Sequence, residues 1–222
     1  MRKLKIPANL TVLAYNSIKE YILEGKLDES GRLTEEFLSN RLGISKSPIR
    51  EALNRLEAEG LIRIEARRGA YLRTFSIKEI DDLYDLREAL EVHAVRTAKV
   101  TPALIAELQQ SIRRLRKHRE SNDKAKYIEE DVAFHTALVN ATGNGLLAKE
   151  LESVQNRIWL FRRNTYDLSS SGAPAHHEAI VNALENDRPA AQRAMRDHIR
   201  VVREKLTDHL ATAESRRAPL AG

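Results

Sequence analysis

Three histidines and one aspartate are spaced so that they fall on the apolar faces of predicted helices. They are Asp131 and His135 on a helix at 124–142, His177 on a helix at 175–186, and His198 on a helix at 188–212. His176, the neighbour of His177, is predicted to point away from this face. A single buried histidine is commonly a satisfied core residue, but four polar groups that converge in a core are costly to bury without a common partner. The pattern therefore predicts a bound metal ion.

The predicted ligand set consists of three neutral imidazoles and one carboxylate, without sulfur. This set suits Zn, Ni, Co, Mn or Fe, and the residues alone do not choose among these metals. We expect one divalent transition-metal ion per protomer, with open coordination positions for water or an anion.

Two arginines fall within or beside apolar helical faces of the same part of the chain. Arg87 interrupts the stripe of a helix that follows Ser76, and Arg162 lies near the stripe of a later helix. One interpretation is an internal salt bridge, since Glu91 is one helical turn from Arg87. The other is that Arg87, with Arg162, binds the carboxylate of a metal-bound acid.

A second group of residues combines short hydrogen-bond donors with positive charge. Ser45, Lys46, Ser47 and Arg50 occupy the first turn of a predicted helix, and Arg67, Arg68 and Gly69 form the tip of a predicted hairpin. A helix that enters the major groove with its N-terminus needs such residues, because hydroxyls and terminal amides hold phosphates while long cationic side chains reach base edges. The hairpin arginines would reach the DNA backbone or the minor groove.

The elements that position these two groups divide the chain. Residues 1–76 are predicted to form a winged helix-turn-helix DNA-binding domain of three helices and a β-hairpin wing. A capping box of Ser76 and Glu79 then begins the first of six further helices, which form an all-α domain at 77–222 for effector binding and dimerisation. The predicted fold is therefore mostly α-helical.

The composition limits the classes of protein that remain. The chain has 222 residues and no cysteine, which excludes disulfides and thiolate sites and fits the reducing cytosol. Residues 1–76 carry 14 basic and 10 acidic residues, whereas residues 77–222 carry 23 and 22. No apolar run approaches the ~18–20 residues that span a bilayer. Residues 1–7 lack the apolar segment of a signal peptide, and we expect a cytoplasmic protein without a membrane partner.

Residues 42–53, with the sequence LGISKSPIREAL, continue through Leu56 to Glu59, Gly60 and Leu61. This stretch resembles the signature of GntR-family transcriptional regulators. The resemblance gives DNA-contacting roles to Ser45, Lys46, Ser47, Arg50, Arg67, Arg68 and Gly69.

The patterns Asp131-x-x-Phe134-His135, His177-x-Ala179-Ile180 and His198-Ile199 resemble the metal-containing branch of the FadR (FCD) subfamily. A domain of six helices rather than seven is similar to the shorter VanR-type variant. The resemblance implies a repressor whose operator affinity is controlled by a small organic acid bound at the metal centre.

We expect a homodimer, because two recognition helices must read a two-fold operator in double-stranded DNA. A metal-dependent hydrolase or lyase with an accessory DNA-binding module is the alternative, since a metal with open positions can activate water. No dedicated general base or nucleophile accompanies the ligands, such as the glutamate of a His-Glu-x-x-His helix, so an enzyme is not expected.

Overall fold

The computed structural model describes residues 10–27 and 31–217, and in it the chain divides into two compact units between Thr74 and Phe75. Residues 1–7, for which no signal peptide is expected, lie outside the described residues. None of the described helices is long and apolar enough to cross a membrane.

The described part of the first unit contains three helices and three short strands. They are α1 (Leu10–Leu23), β1 (Arg32–Leu33), α2 (Glu35–Leu42), α3 (Lys46–Ala58), β2 (Ile62–Glu65) and β3 (Gly69–Leu72). Local signals set the ends of α2: the Thr34 hydroxyl accepts from the amide of Phe37, and Gly43 ends the helix at φ +66°. Ile49, Leu53 and Leu56 bury one face of α3 and leave its first turn exposed.

The sheet has one strand more than the sequence analysis expected. Strands β2 and β3 form the predicted antiparallel hairpin, and β1 pairs with the other edge of β3, with Arg32 opposite Tyr71. Two residues are too few to show an alternating pattern, which is why β1 was missed. This strand also explains Gly69, which has φ +108° and whose Cβ, if present, would lie 2.9 Å from the Leu33 carbonyl oxygen.

The second unit contains the six predicted helices. They are α4 (Ile77–Thr97), α5 (Pro102–Glu120), α6 (Lys124–Asn140), α7 (Gly145–Ser169), α8 (Ala173–Leu184) and α9 (Arg188–Arg217). The capping box of Ser76 and Glu79 is confirmed at the start of α4, and Thr101 caps α5 ahead of Pro102.

The core of this unit is built from buried residues of all six helices, α4 to α9. Phe134, Ile180 and Met195 are fully buried there, and burial of each such side chain contributes about 1.5–3 kcal/mol. Ion pairs fix α9 along α4: Arg200 donates to Glu88 at 2.8 Å, and Arg203 donates to Asp81 at 2.7 Å. The helices that carry the predicted metal ligands are thus held by packing from several sides.

Candidate metal centre and nucleic-acid interface

The structure brings the three predicted histidines together in the core of the second unit. His135 comes from α6, His177 from α8 and His198 from α9, and all three are buried. A ligand nitrogen from each ring lies within 4.8 Å of the others. The ring of Phe134 stacks parallel to that of His177, with 3.9 Å between the centroids, and so fixes the orientation of this imidazole.

Asp131 lies at the same point, one turn before His135 on α6. Its Oδ1 atom is 3.6 Å from Nε2 of His177, and its Oδ2 atom is 3.8 Å from Nε2 of His135. Asp131 Oδ1 and these two Nε2 atoms are buried without a hydrogen-bond partner among the described residues. Each such group costs about 1–3 kcal/mol if it stays unpartnered. Three such atoms that converge on one point form a site that fits a divalent cation.

The protonation states also suit a cation. Burial lowers the pKa of His177 to about 3 and that of His198 well below its usual range. Burial, the largest influence, would raise the pKa of Asp131, but the charge and hydrogen bond of Arg162 together with His135 and His177 outweigh it and hold this pKa well below normal. Neutral imidazoles beside an ionised carboxylate are the forms that bind metals.

His176 is not one of the three converging histidines, as its position beside the apolar face of α8 predicts, but it contacts one of them. Its side chain is half-buried, and its Nδ1 atom lies 3.4 Å from Nδ1 of His198. The apolar stripe of α8 does not by itself reveal this contact. Because α9 packs alongside α8, a residue beside that stripe also contacts a neighbouring helix.

Both predicted effector arginines lie in this region and are already paired. Nη1 of Arg162 donates to Asp131 Oδ2 at 2.5 Å, and Nε of Arg87 donates to Glu91 Oε1 at 2.6 Å. Both arginines line one small cavity with Gln155, and the space has room for little more than a water molecule. The salt bridge that the sequence offered as one interpretation of Arg87 is therefore present, and it does not remove Arg87 from the cavity.

Glu91 is the polar residue of this site whose importance the sequence analysis missed. It is buried, and its Oε2 atom is in contact with Nδ1 of His135. Burial would raise its pKa, but Arg87 and then His135 lower the pKa to about 2. Its position one turn after Arg87 was visible in the sequence, but its contact with a residue on another helix was not.

In the first unit, Ser45, Lys46, Ser47 and Arg50 are all exposed on the first turn of α3. Ser45 is the N-cap residue, yet its hydroxyl makes no capping hydrogen bond and remains available to a phosphate. Nε and Nη2 of Arg50 donate to the two carboxylate oxygens of Glu35 at 2.8 and 2.9 Å. This bidentate pair is not anticipated by the sequence analysis.

The predicted wing tip is present between β2 and β3. Arg67 and Arg68 are exposed there, and Arg67 has a left-handed backbone with φ +64°. The guanidinium of Arg32 donates to the Arg68 carbonyl at 2.8 Å, so β1 supports the turn. A cationic helix N-terminus and a cationic wing on one three-helix unit define a DNA-binding protein of the winged-helix class.

The comparisons with known proteins agree with this class. Residues 10–72 match the family described as bacterial regulatory proteins, gntR family, and residues 82–201 match the FCD domain. The chain belongs to the GntR family of DNA-binding transcriptional regulators and carries an FCD domain. This family and the named relatives indicate a regulator and not an enzyme, which settles the alternative left by the sequence.

The relatives share most of the chain. YdhC of Bacillus subtilis, named a transcriptional regulator of the helix-turn-helix type, is 31% identical over 74% of this chain and 75% of its own. A regulator of the same type in an unstable DNA locus of Streptomyces ambofaciens is 29% identical over 85% of this chain and 81% of its own. The structure of McbR/YncC from Escherichia coli has the same fold, with a TM-score of 0.76 and 22% identity over 95% of this chain and all of its own.

Proposed function

We propose that this protein is a homodimeric transcriptional repressor whose operator affinity is controlled by a small carboxylic acid at a metal centre in the FCD domain. One observation carries the proposal: unpartnered, buried ligand atoms of Asp131, His135 and His177 converge beside a cavity lined by Arg87 and Arg162. A purely structural core has no use for this arrangement, because apolar residues of similar volume would fill it at lower cost.

Asp131, His135, His177 and His198 would hold one divalent transition-metal ion per protomer. The donor set fits zinc, and nickel, cobalt, manganese or iron would also be bound by it. A bound ion would supply open coordination positions for one carboxylate of the effector.

The acid effector is supported by the donors around the cavity. Arg87 and Arg162 provide guanidinium groups, and Nε2 of Gln155 is a buried donor without a partner among the described residues. Because Gln155 accepts from Thr136 through Oε1 at 3.3 Å, its amide nitrogen remains to donate to a ligand. Cationic and amide donors favour an anionic, oxygen-rich ligand such as a sugar acid or another carboxylate, and the cavity would have to widen to admit one.

The DNA contacts are assigned to the exposed cationic surface of the first unit. Lys46 and Arg50 would reach base edges, Ser45 and Ser47 would hold phosphates, and the wing at 67–69 would contact the backbone or minor groove. A homodimer would place two recognition helices on a two-fold operator. Repression is supported by the name of one relative at 26% identity, the transcriptional repressor RspR of Escherichia coli.

Effector binding can affect the first unit through α4. This helix carries Arg87 and Glu91, and only residues 73–76 separate its first residue from β3 of the wing. A ligand that binds Arg87 therefore contacts the helix that directly follows the DNA-binding unit in the chain.

The test combines a thermal-shift screen with DNA binding. The zinc-loaded protein selects its operator from a randomised duplex library, and small carboxylic acids are then screened for a rise in Tm. An acid that stabilises the protein should change operator affinity by about 5- to 150-fold, and the operator should change acid affinity by the same factor. Acids that bind without any effect on operator affinity would contradict the proposed control.

A further inference from the structure

Glu91 lies between a predicted effector residue and a predicted metal ligand. One carboxylate oxygen, Oε1, accepts from Nε of Arg87 at 2.6 Å, and the other, Oε2, is in contact with Nδ1 of His135. The side chains of Glu91 and His135 are no more than 1% exposed, so their contact is shielded from bulk solvent.

The contact with His135 requires a proton between the two atoms. Two lone pairs in direct contact would repel each other, and a carboxylate that is paired with a guanidinium acts only as an acceptor. Glu91 Oε2 and His135 Nδ1 are both buried, and neither has a hydrogen-bond partner of regular geometry among the described residues, so only their mutual contact can satisfy them there. A proton on Nδ1 of His135 would satisfy both atoms.

This proton position has a direct consequence for the other ring nitrogen. A neutral imidazole that is protonated at Nδ1 carries its lone pair at Nε2, and Nε2 of His135 is the atom that lies 3.8 Å from Asp131 in the cluster. Carboxylate partners of this kind orient metal-bound imidazoles and raise their basicity.

We propose that Glu91 is a positioning residue of the metal centre, which fixes the tautomer of His135 and links this ligand to Arg87. The inference rests on the proposed metal site but adds a residue outside the ligand set. It also gives the effector a route to the metal: a carboxylate that binds Arg87 competes with Glu91 for the guanidinium and so alters the partner of His135.

The test is the Glu91→Gln variant of the full-length protein. The amide oxygen can still accept from Nε of Arg87, which leaves the amide nitrogen to face Nδ1 of His135. An amide donor at this position favours the tautomer that is protonated at Nε2, which blocks the metal-binding lone pair. Zinc affinity, measured by competition with a chelator, should fall by about 10- to 100-fold.

Glu88→Gln is the matched control, because Glu88 lies on the same helix and is 17% exposed, but pairs with Arg200 and Arg196. It should keep wild-type zinc affinity. Unchanged zinc affinity in Glu91→Gln, with zinc bound by the wild type, would overturn this inference alone. A wild-type protein that binds no zinc would overturn the proposed function and this inference with it.

A measurement on the wild type keeps the inference falsifiable if Glu91→Gln does not fold. Long-range proton–nitrogen correlation spectra of the ¹⁵N-labelled, metal-free protein report which nitrogen of each neutral histidine carries the proton. His135 should be protonated at Nδ1. Protonation at Nε2 would show that Glu91 does not hold this ring, and the inference would be wrong.

Discussion

Two arginine–carboxylate pairs show how differently the two units of this protein use the same chemistry. Arg50 and Glu35, in the DNA-binding unit, have side chains that are 64% and 31% exposed. Arg162 and Asp131, in the FCD unit, have side chains that are 8% and 1% exposed. Water and salt weaken the first pair, whereas the second lies in a medium where an unpaired charge is very costly.

The difference separates an exchangeable contact from a permanent one. Arg50 can leave Glu35 for DNA at little cost, because water replaces each lost contact. Arg162 cannot leave Asp131 unless another anion takes its place. The proposed DNA surface is therefore a set of exposed side chains that can exchange partners, and the proposed metal centre is a network in which each member depends on the next.

The substitution with the largest expected effect removes one member of the buried pair. Asp131→Ala should lower the free energy of unfolding of the FCD unit by about 3–5 kcal/mol in metal-free protein, because it leaves the Arg162 charge uncompensated. Urea denaturation followed by tryptophan fluorescence measures the loss, since Trp159 lies beside the same cavity.

Glu35→Ala is the matched substitution in the exposed pair. It should leave the free energy of unfolding of the first unit the same as in wild type, within error. The double variant Asp131→Leu, Arg162→Met should recover most of the loss, because neither charge remains buried. Equal losses for Asp131→Ala and Glu35→Ala would refute the distinction between the two pairs.

The second prediction concerns the exposed pair and DNA. Arg50→Ala should weaken binding to the selected operator by about ten- to a hundred-fold and relax the preference for one base, without change in Tm. Arg68→Ala on the wing should lower affinity evenly across sequences and reduce the slope of log affinity against log salt by about one. Wild-type operator affinity in Arg50→Ala would remove this residue from the interface.

The third prediction uses acid to distinguish the units, because all seven histidines follow Thr74 in the sequence. The pKa of His177 is about 3 in the fold, against 6.5 for the unperturbed side chain. Between these values the unfolded chain binds more protons than the folded one, so stability must fall as the pH falls. Each such histidine removes at most about 1.4 kcal/mol per pH unit.

The measurement is urea denaturation of the metal-free protein between pH 7.5 and 5. The FCD unit should lose stability over this interval, and the first unit should not, since it has no histidine. His177→Asn should reduce the slope. Below about pH 4 the lowered pKa values of Asp131 and Glu91 should add a further loss. A stability of the FCD unit that does not change from pH 7.5 to 5 would contradict the buried neutral state of His177.

The smallest expected effect lies at the edge of the buried cluster. His176→Ala should lower zinc affinity by less than about tenfold, because water can replace this half-buried partner of His198 Nδ1. His177→Ala, one residue further along α8, should abolish stoichiometric binding. A full loss of zinc in His176→Ala would make this residue a ligand rather than a partner of one.

The sequence predicted local features well, because local rules control them. The capping box of Ser76 and Glu79 is set by residues within one helical turn, and it is confirmed. The convergence of His135, His177 and His198 was predicted from the apolar face of each helix, and it is present. Strand β1 was missed, because a two-residue strand exists only through its pairing with β3.

What the sequence determined by itself is which residues face inward and where each helix begins and ends. Periodicity fixes the direction of a side chain from its own helix, but not the identity of its neighbour on another. Only the tertiary structure placed Glu91 against His135, His176 against His198 and Glu35 against Arg50. The first two are contacts between packed helices of the core, and the third joins the first turns of α2 and α3. All three depend on how helices pack against each other, and this packing depends on many residues that are far apart in the sequence.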